Sequence, residues 1–390
     1  MTGPISAARA LLASIALLAA PTAAPAQDVP PPPRVIGYLA DWTLANPSRY
    51  RIDDVPADRL THINLAFAAI TPDGGIAHPA GRRGDVLAGL RELKRKHPHL
   101  KTLISVGGWG GSGRFSDVAL TDESRAKFAE SCVEFVAANG LDGVDVDWEF
   151  PVIGGPPGSA KRPEDKVNFT SLLGSLRAAL DGRAKVDGHP YLLTIAAPAG
   201  PPAANHMELK AIAERLDWIN LMDYDFAGSW SDVASFQAPL SAPSDRPGIR
   251  GHDVESSVRH YLAAGIAPEK LVVGVPFYGR GWVVADIKDD GLFQRPAKNP
   301  PAGLSPGAGV AFRDIPTKFP GATRHWHEKA QAPYLFDPAR KVFFGYDDAE
   351  SLRRKAAYVR EHHLGGLMIW ELSQDDPKGT LIQALAPRRP

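Results

Sequence analysis

Residues 141–150 of this 390-residue chain read Leu141-Asp142-Gly143-Val144-Asp145-Val146-Asp147-Trp148-Glu149-Phe150. Successive side chains of a β-strand point to opposite faces, so the stretch predicts one face of large apolar residues and one face of Asp145, Asp147 and Glu149. Three carboxylates on one face repel each other and resist ionising together, which shifts pKa values without any gain in stability. Because general acid catalysis needs carboxyl groups with shifted pKa values, we expect these three residues at the centre of an active site.

Two other interpretations fit the stretch less well. A solvated acidic strand does not explain the large apolar residues on its opposite face. A calcium loop of the EF-hand type, counted from Asp145, requires glycine at its sixth position, where the chain has Phe150. The pattern therefore favours a catalytic strand over a calcium site.

Apolar, β-branched segments alternate with helical segments along the rest of the chain. The predicted strands are Val35–Ala40, His62–Ile70, Lys101–Val106, Gly143–Glu149, Tyr191–Ala196, Trp218–Met222, Leu271–Pro276 and Gly366–Trp370. The predicted helices include Asp85–Lys96, Glu123–Asn139, Asp165–Asp181, Met207–Arg215, Val254–Ala264 and Ala349–His362. Eight strands alternating with helices are typical of a closed (β/α)8 TIM barrel. A doubly wound open sheet is the alternative, but no G-x-G-x-x-G follows the first strand.

The connection between the seventh and eighth predicted strands is too long for a single loop. Residues 282–342 are rich in Pro, Gly and aromatic residues, and structureless loops of this length are uncommon. We therefore predict a small inserted domain at 282–342, with the barrel formed by residues 34–281 and 343–386.

Composition limits the possible partners. Lys+Arg and Asp+Glu number 44 each, so the net charge is near zero and indicates neither nucleic acid nor an anionic membrane surface as a partner. Cys132 is the only cysteine, which excludes an intramolecular disulfide. It shares a helical stripe with apolar residues, so we expect it to be a buried core residue.

The first residues predict export. Arg9 precedes an apolar run from Ala10 to Ala20, and Ala24-Pro25-Ala26 supplies an A-x-A cleavage site. We predict a signal peptide at residues 1–26, a Pro-rich lead-in at 27–33, and an extracellular or periplasmic protein without stable membrane association after cleavage. An uncleaved anchor is the alternative, but the apolar run is short for a bilayer span.

Aromatic and polar residues gather at the predicted ends of the strands. Chemistry in a (β/α)8 barrel lies at the C-terminal ends of the strands. The residues in question are Tyr38, Trp42, Phe67, Gly107 to Trp109, Met222 to Asp225, Tyr278 to Arg280, and Trp370. Any one of these rings could simply pack in the core, but together around a carboxylate they suit a sugar, whose C–H faces stack on aromatic rings.

Several motifs resemble glycoside hydrolase family 18, the chitinases and their relatives. The strand quoted above matches the family signature from Asp142 to Glu149. The other matching motifs are Ser105-Val106-Gly107-Gly108-Trp109, Met222-Asp223-Tyr224-Asp225-Phe226-Ala227-Gly228, Pro276-Phe277-Tyr278-Gly279-Arg280 and Gly365-Gly366-Leu367-Met368-Ile369-Trp370. They follow in the family's order over roughly residues 35–385. The resemblance implies that the insertion is of the α+β type.

The resemblance also implies retaining hydrolysis assisted by the substrate, an exception among glycosidases. Ordinary retaining enzymes place two carboxylates on opposite sides of the scissile bond, about 5 Å apart. Asp147 and Glu149 face the same way on one strand and cannot flank that bond, so an N-acetyl oxygen of the sugar would act as nucleophile. Glu149 would be the general acid and base, Asp147 would orient the acetamido group, and Asp145 would share a proton with Asp147.

The remaining roles come from the resemblance position by position. Tyr224 would donate to the acetamido oxygen, Asp225 would contact the distorted sugar, and Trp370 would form the floor beneath it. The other expected substrate-binding residues are Tyr38, Phe67, Gly108, Trp109, Met222, Tyr278 and Arg280. For Arg280, a purely structural pairing with an acid is the alternative.

The expected substrate is a chain of β-1,4-linked N-acetylglucosamine, chitin or a chitooligosaccharide, with no cofactor or metal and a monomeric enzyme. Two alternatives remain. One is an endo-β-N-acetylglucosaminidase acting on N-glycans or cell-wall glycans. The other is a lectin without hydrolytic activity, which retention of Glu149 disfavours.

Overall fold

The structure, a computed structural model, describes residues 1–3, 33–78, 86–243, 251–298 and 307–388. The predicted signal peptide and lead-in lie outside these ranges except at residues 1–3 and 33. None of the helices in the described ranges has an apolar stretch long enough to cross a bilayer.

The strands that form within these ranges are β1 Arg34–Ala40, β2 His62–Ile70, β3 Ile76–Ala77, β4 Lys101–Gly107, β5 Gly143–Asp147, β6 Leu192–Pro198, β7 Trp218–Met222, β8 Leu271–Pro276, β9 Tyr278–Val283, β10 Ala308–Ala311, β11 Thr323–His327, β12 Ala332–Asp337, β13 Val342–Gly345 and β14 Gly366–Trp370. The α-helices are α1 Val86–Lys96, α2 Phe115–Val118, α3 Asp122–Asn139, α4 Asp165–Asp187, α5 Pro201–Ala204, α6 Leu209–Ala213, α7 Val254–Ala263, α8 Ile315–Lys318, α9 Ala349–Glu361 and α10 Thr380–Leu385.

Eight of the strands close into a parallel barrel. Their order around the barrel is β1, β2, β4, β5, β6, β7, β8 and β14, and β14 pairs with β1 to complete the ring. Each of these pairings is parallel. The predicted (β/α)8 barrel is confirmed.

Strand alternation separates two layers of side chains. On β5, Val144 and Val146 belong to the large core that also contains Phe128 of α3 and Leu172 of α4. A second, smaller cluster holds inward-facing residues of five barrel strands: Ile36, Tyr38, Ala66, Trp218, Val272 and Met368. The barrel interior is therefore packed with side chains, and the space for a ligand lies at its rim.

The chain between β8 and β14 forms a second, antiparallel sheet, as the predicted α+β insertion requires. Its strand order is β10-β9-β13-β12-β11, and α8 lies in the connection between β10 and β11. The sheet begins at Tyr278, so Tyr278 and Arg280 stand on its first strand, β9, rather than on the barrel. Both sheets belong to one compact unit, residues 33–390.

Several element boundaries differ from expectation, and three of the differences concern β5, α4 and α6. Strand β5 ends at Asp147, two residues before the predicted end, because the backbone beyond it pairs with the loop that follows β4 instead of with a strand. Helix α4 continues to Asp187 and ends where Gly188 takes φ 74°, a left-handed conformation that suits glycine. The helix predicted at Met207–Arg215 is confined to Leu209–Ala213.

Candidate active site

The three carboxylates of the quoted stretch lie at the C-terminal end of β5. Asp145 and Asp147 are buried within the strand, and Glu149 is half-buried two residues beyond its end. Trp148 points to the opposite side, where its ring stacks on Phe115 at 5.3 Å. The predicted separation of acidic and apolar faces therefore exists, although the last part of it lies beyond the strand.

Asp145 is the deepest of the three and is surrounded by neutral donors. Its Oδ2 accepts hydrogen bonds from the Tyr38 hydroxyl at 2.6 Å and the Ser105 hydroxyl at 2.8 Å. Its Oδ1 accepts from the Thr194 hydroxyl at 2.6 Å and the Asn220 amide at 3.1 Å. Burial raises the pKa of Asp145, and the hydrogen bonds oppose that rise. The hydroxyl of Tyr38, which was expected among the substrate-binding residues, is therefore bound to Asp145.

Asp147 has a different environment. Its Oδ1 is buried and has no hydrogen-bond partner among the described residues. Burial raises the pKa of Asp147 well above its ordinary value, and the charges of Glu149 and Asp145 raise it further. Both carboxyl oxygens of Asp145 are occupied by its four donors. Within the described ranges no hydrogen bond joins Asp145 to Asp147. A buried carboxyl oxygen without a protein partner is suited to receive a donor from a ligand.

The pKa of Glu149 is raised above the ordinary value of a glutamate. Burial, and then the negative charge of Asp225, raise its pKa to about 7, while a hydrogen bond from the Trp109 backbone N–H acts in the opposite direction. A carboxyl group that titrates near neutral pH can both give and take a proton there.

Tyr224 and Met222 lie beside these carboxylates at the end of β7. Both pack against the inner cluster, and the Tyr224 hydroxyl lies 3.9 Å from the Met368 sulfur. Burial raises the pKa of Tyr224 well above its ordinary value, so the hydroxyl keeps its proton and remains a donor.

Asp225 is held by two residues of the insertion sheet. The Tyr278 hydroxyl donates to Asp225 Oδ1 at 2.6 Å. The Arg280 guanidinium donates through Nε to Oδ1 and through Nη2 to Oδ2, both at 2.6 Å. The structural pairing considered for Arg280 is thus present, and it is bidentate, the strongest arrangement between these groups. The insertion sheet contributes directly to the candidate site.

Aromatic rings form a continuous surface on the other side of the site. Phe67 stacks between Trp370, at 5.6 Å, and Trp42, at 6.1 Å, with interplanar angles of 23° and 26°. Tyr38 lies 5.5 Å from Trp370 in a tilted arrangement. Gly108 lies close to the same surface, because a Cβ atom at that position would come within 2.6 Å of the Phe67 ring.

Two tryptophans, in the loops after β4 and β7, are exposed to solvent. Trp109, an expected site residue, is 56% exposed, and Trp230 is 62% exposed. Trp230 was not anticipated. The Arg280 guanidinium lies 5.1 Å from its ring centre, which places Trp230 next to the Asp225 pair. Its sequence signal was weak, since it lies six residues after Tyr224 in a loop without periodicity.

Comparison with known proteins identifies the class. The sequence model of the glycosyl hydrolases family 18 matches residues 34–375. Chitinase A1 of Niallia circulans is 38% identical over 398 residues, covering 88% of this chain and 57% of that protein. This chain therefore spans a little more than half the length of that relative.

Two solved structures of similar proteins support the same family. The chitinase ChiA74 from Bacillus thuringiensis superposes with a TM-score of 0.83 at 34% identity, covering 90% of this chain and 69% of that chain. A family 18 N-acetylglucosaminidase from Paenibacillus barengoltzii superposes with a TM-score of 0.81 at 36% identity, covering 91% and 99%. A (β/α)8 barrel with carboxylates at its rim is a common glycosidase architecture. This chain belongs to glycosyl hydrolases family 18.

Proposed function

We propose that the protein hydrolyses β-1,4-linked N-acetylglucosamine chains, chitin or chitooligosaccharides, with retention of configuration. The observation that carries the proposal is the placement of Asp147 and Glu149 on one side of the site, with Asp147 Oδ1 buried and unpartnered. Carboxylates on the same side cannot act as acid and opposed nucleophile. A buried free acceptor next to the acid matches an acetamido N–H, so the substrate itself would supply the nucleophile.

These positions support the following reaction. The Glu149 carboxyl gives its proton to the glycosidic oxygen as the bond from that oxygen to C1 breaks. The acetamido oxygen forms a bond to C1, and Asp147 accepts from the acetamido N–H and balances the positive charge of the oxazolinium ion. Tyr224 donates to the acetamido oxygen. Water then attacks C1, Glu149 takes its proton, and the C1 bond to the acetamido oxygen breaks, which restores the N-acetyl group.

The aromatic surface supports a linear sugar chain as the substrate. Trp42, Phe67 and Trp370 form a row of stacked rings, and Trp109 and Trp230 are exposed in the loops after β4 and β7. Sugar rings stack on such surfaces through their C–H faces. The relatives named above are two chitinases and an N-acetylglucosaminidase, which agrees with this substrate class. We further propose that the protein is exported through residues 1–26 and acts as a monomer.

Product analysis tests the proposal. N-acetylglucosamine hexamer is incubated with the wild type and with Glu149→Gln, and the products are followed by mass spectrometry. We expect dimers or monomers from the wild type and intact hexamer from the variant, because glutamine keeps the shape of the side chain but has no proton to give. The ratio of dimers to monomers would show whether chain cleavage or removal of single sugars dominates.

Two results would contradict the proposal. Near-normal turnover by Glu149→Gln would remove Glu149 from its role as acid. Intact hexamer with both proteins would favour the alternatives, and two further measurements separate them. Release of glycans from an N-glycosylated protein would indicate the endo-β-N-acetylglucosaminidase, whereas binding of hexamer without any cleavage would indicate a lectin.

A further inference from the structure

The glycine-rich loop after β4, residues 107–113, contacts the catalytic segment at several points. The Gly108 backbone N–H donates to the Asp147 carbonyl at 2.9 Å. The Trp109 backbone lies near the Glu149 carboxyl, where its N–H lowers the pKa of that group. The Glu149 backbone N–H donates to the Ser112 hydroxyl at 2.9 Å. The loop therefore holds the main chain of the catalytic segment on both sides of Trp148.

The Ser112 hydroxyl joins these contacts at one atom. Ser112 is buried, and its Oγ lies 2.9 Å from the Gly108 carbonyl and 3.1 Å from the Asp147 carbonyl. Its single hydrogen serves one of these carbonyls at a time, while its lone pair accepts from the Glu149 N–H. One hydroxyl thus links the loop to the last residue of β5 and to the acid two residues further on.

The hydrogen bond from Glu149 to Ser112 takes the place of strand pairing beyond the end of β5. The last residue of β5 that pairs with β4 is Asp147, opposite Gly107. Glu149 lies beyond that register, so its backbone N–H has no strand neighbour to receive it. A buried donor without an acceptor lowers the stability of the fold, and the Ser112 hydroxyl supplies the acceptor for the Glu149 N–H.

The glycines of the loop allow this close approach. A Cβ atom at Gly107, where φ is 107°, would lie 2.3 Å from the Asp147 carbonyl oxygen. A Cβ atom at Gly111 would lie 2.2 Å from the Gly107 carbonyl oxygen. Backbone cannot move aside as a flexible side chain can, so Gly107 allows the close approach to Asp147 and Gly111 allows the tight turn of the loop itself.

We propose that Ser112 is a positioning residue, whose hydroxyl holds the main chain of Glu149 so that the carboxyl keeps a fixed place against the leaving oxygen. The inference rests on the proposed function. Ser112 acts through Glu149 and makes no contact with the substrate. Displacing a catalytic group by about 1 Å costs on the order of 100-fold in rate, so a small backbone shift at Glu149 has a measurable effect.

Ser116 provides a matched control four residues further on. It is also buried, and its hydroxyl donates to Asp165 Oδ1 at 2.7 Å and accepts from Arg162 Nη1 at 2.6 Å. Replacing it with alanine removes the same chemical group from the same region without touching Asp147 or Glu149. A difference between the two alanine variants therefore reports on the catalytic segment and not on general loss of a buried hydroxyl.

The experiment compares wild type, Ser112→Ala, Ser112→Thr and Ser116→Ala. Steady-state hydrolysis of N-acetylglucosamine hexamer gives kcat and KM, and hydrogen–deuterium exchange by mass spectrometry follows peptides spanning residues 147–150 without substrate. We expect Ser112→Ala to lower kcat about 10- to 100-fold, with KM changed by less than about threefold. The Glu149 amide should exchange faster in this variant. Ser112→Thr should recover most of kcat because it restores the hydroxyl, and Ser116→Ala should resemble the wild type.

Three outcomes would overturn the inference. The first is a kcat for Ser112→Ala within about twofold of the wild type, and the second is unchanged exchange at the Glu149 amide. The third is an equal loss of kcat in both alanine variants, parallel to their unfolding temperatures. An inactive wild type would instead refute the proposed function, and amide exchange would still decide the role of Ser112. If Ser112→Thr does not fold, the two alanine variants and amide exchange decide.

Discussion

At the scale of single residues, neighbouring aspartates of one strand have opposite surroundings. Asp145 accepts hydrogen bonds on both carboxyl oxygens, whereas Asp147 has a buried oxygen with no partner among the described residues. The two residues have the same chemistry and lie on the same face of β5, so their different tasks come from what surrounds them. Asp145 is suited to hold the surrounding side chains in place, whereas Asp147 is suited to accept a hydrogen bond from a ligand.

The first prediction concerns the ranking of these two aspartates. Asp147→Asn should lower kcat by roughly 100- to 1000-fold, because it removes the charge that balances the oxazolinium ion. Asp145→Asn should cost less, since Asp145 lies a layer deeper and acts through Asp147. Steady-state kinetics on chitooligosaccharides measure both effects. A larger loss for Asp145→Asn would mean that the orienting role belongs to the deeper carboxylate.

At the scale of elements, the candidate site joins the barrel to the insertion. Asp225 follows β7 of the barrel, and its partners Tyr278 and Arg280 lie on β9 of the inserted sheet. The charge of Asp225 in turn acts on Glu149, two residues beyond the end of β5. Ser112, in the loop after β4, accepts a hydrogen bond from the backbone N–H of the same Glu149. The ionisation of the acid therefore depends on several elements that are distant in sequence.

The second prediction follows from the pKa of Glu149. Glu149 must be protonated to act as acid, so kcat/KM should fall as pH rises through about 7. Asp225→Asn removes a negative charge that raises this pKa and leaves the Arg280 cation nearby. Both changes favour the ionised form of Glu149, so the basic limb of the pH profile should move to lower pH by roughly one unit.

Asp232→Asn is the control for this prediction, because Asp232 is exposed in the same loop after β7. It should leave the basic limb in place. A basic limb that stays fixed or moves to higher pH in Asp225→Asn would show that Asp225 does not control the ionisation of Glu149.

At the scale of the whole molecule, a buried ion pair connects the C-terminal end of the insertion to a helix of the barrel. Asp347 lies two residues after β13, which is the last strand of the insertion in chain order. Lys355 lies on α9 of the barrel. Their side chains meet at 2.6 Å and are 0% and 1% exposed. Such a pair contributes little net stability compared with apolar packing, but breaking it leaves an uncompensated charge in the interior.

The third prediction tests this pair. Lys355→Met should lower the free energy of unfolding by about 3–5 kcal/mol, because Asp347 remains buried without its partner. Urea denaturation gives the value. The double variant Lys355→Met with Asp347→Asn should recover a large part of the loss, since neither charge remains. A loss below about 1 kcal/mol in the single variant would show that the interior accommodates the lone carboxyl.

The local pattern of the sequence determined the barrel and the placement of its acids. Hydrophobic alternation placed Val144 on one face of β5 and Asp145 and Asp147 on the other, and the alternation of strands with helices determined closure. The alternation within a strand depends on neighbours within a few residues, whereas closure itself pairs Arg34 with Gly366. Even so, the end of β5 could not be read from the pattern, because the loop after β4 takes over the backbone of Glu149.

Only the tertiary structure decided the partners of the acids. Arg280 meets Asp225 across 55 residues of sequence, Ser112 meets Glu149 across 37, and Tyr38 meets Asp145 across 107. Burial, which raises the pKa of Glu149 to about 7, likewise depends on side chains brought in from several strands. The sequence by itself determined which residues could do chemistry, because residue type and strand periodicity are local. Their charges and contacts were decided by chain closure, because hydrogen bonds and desolvation depend on distance in space.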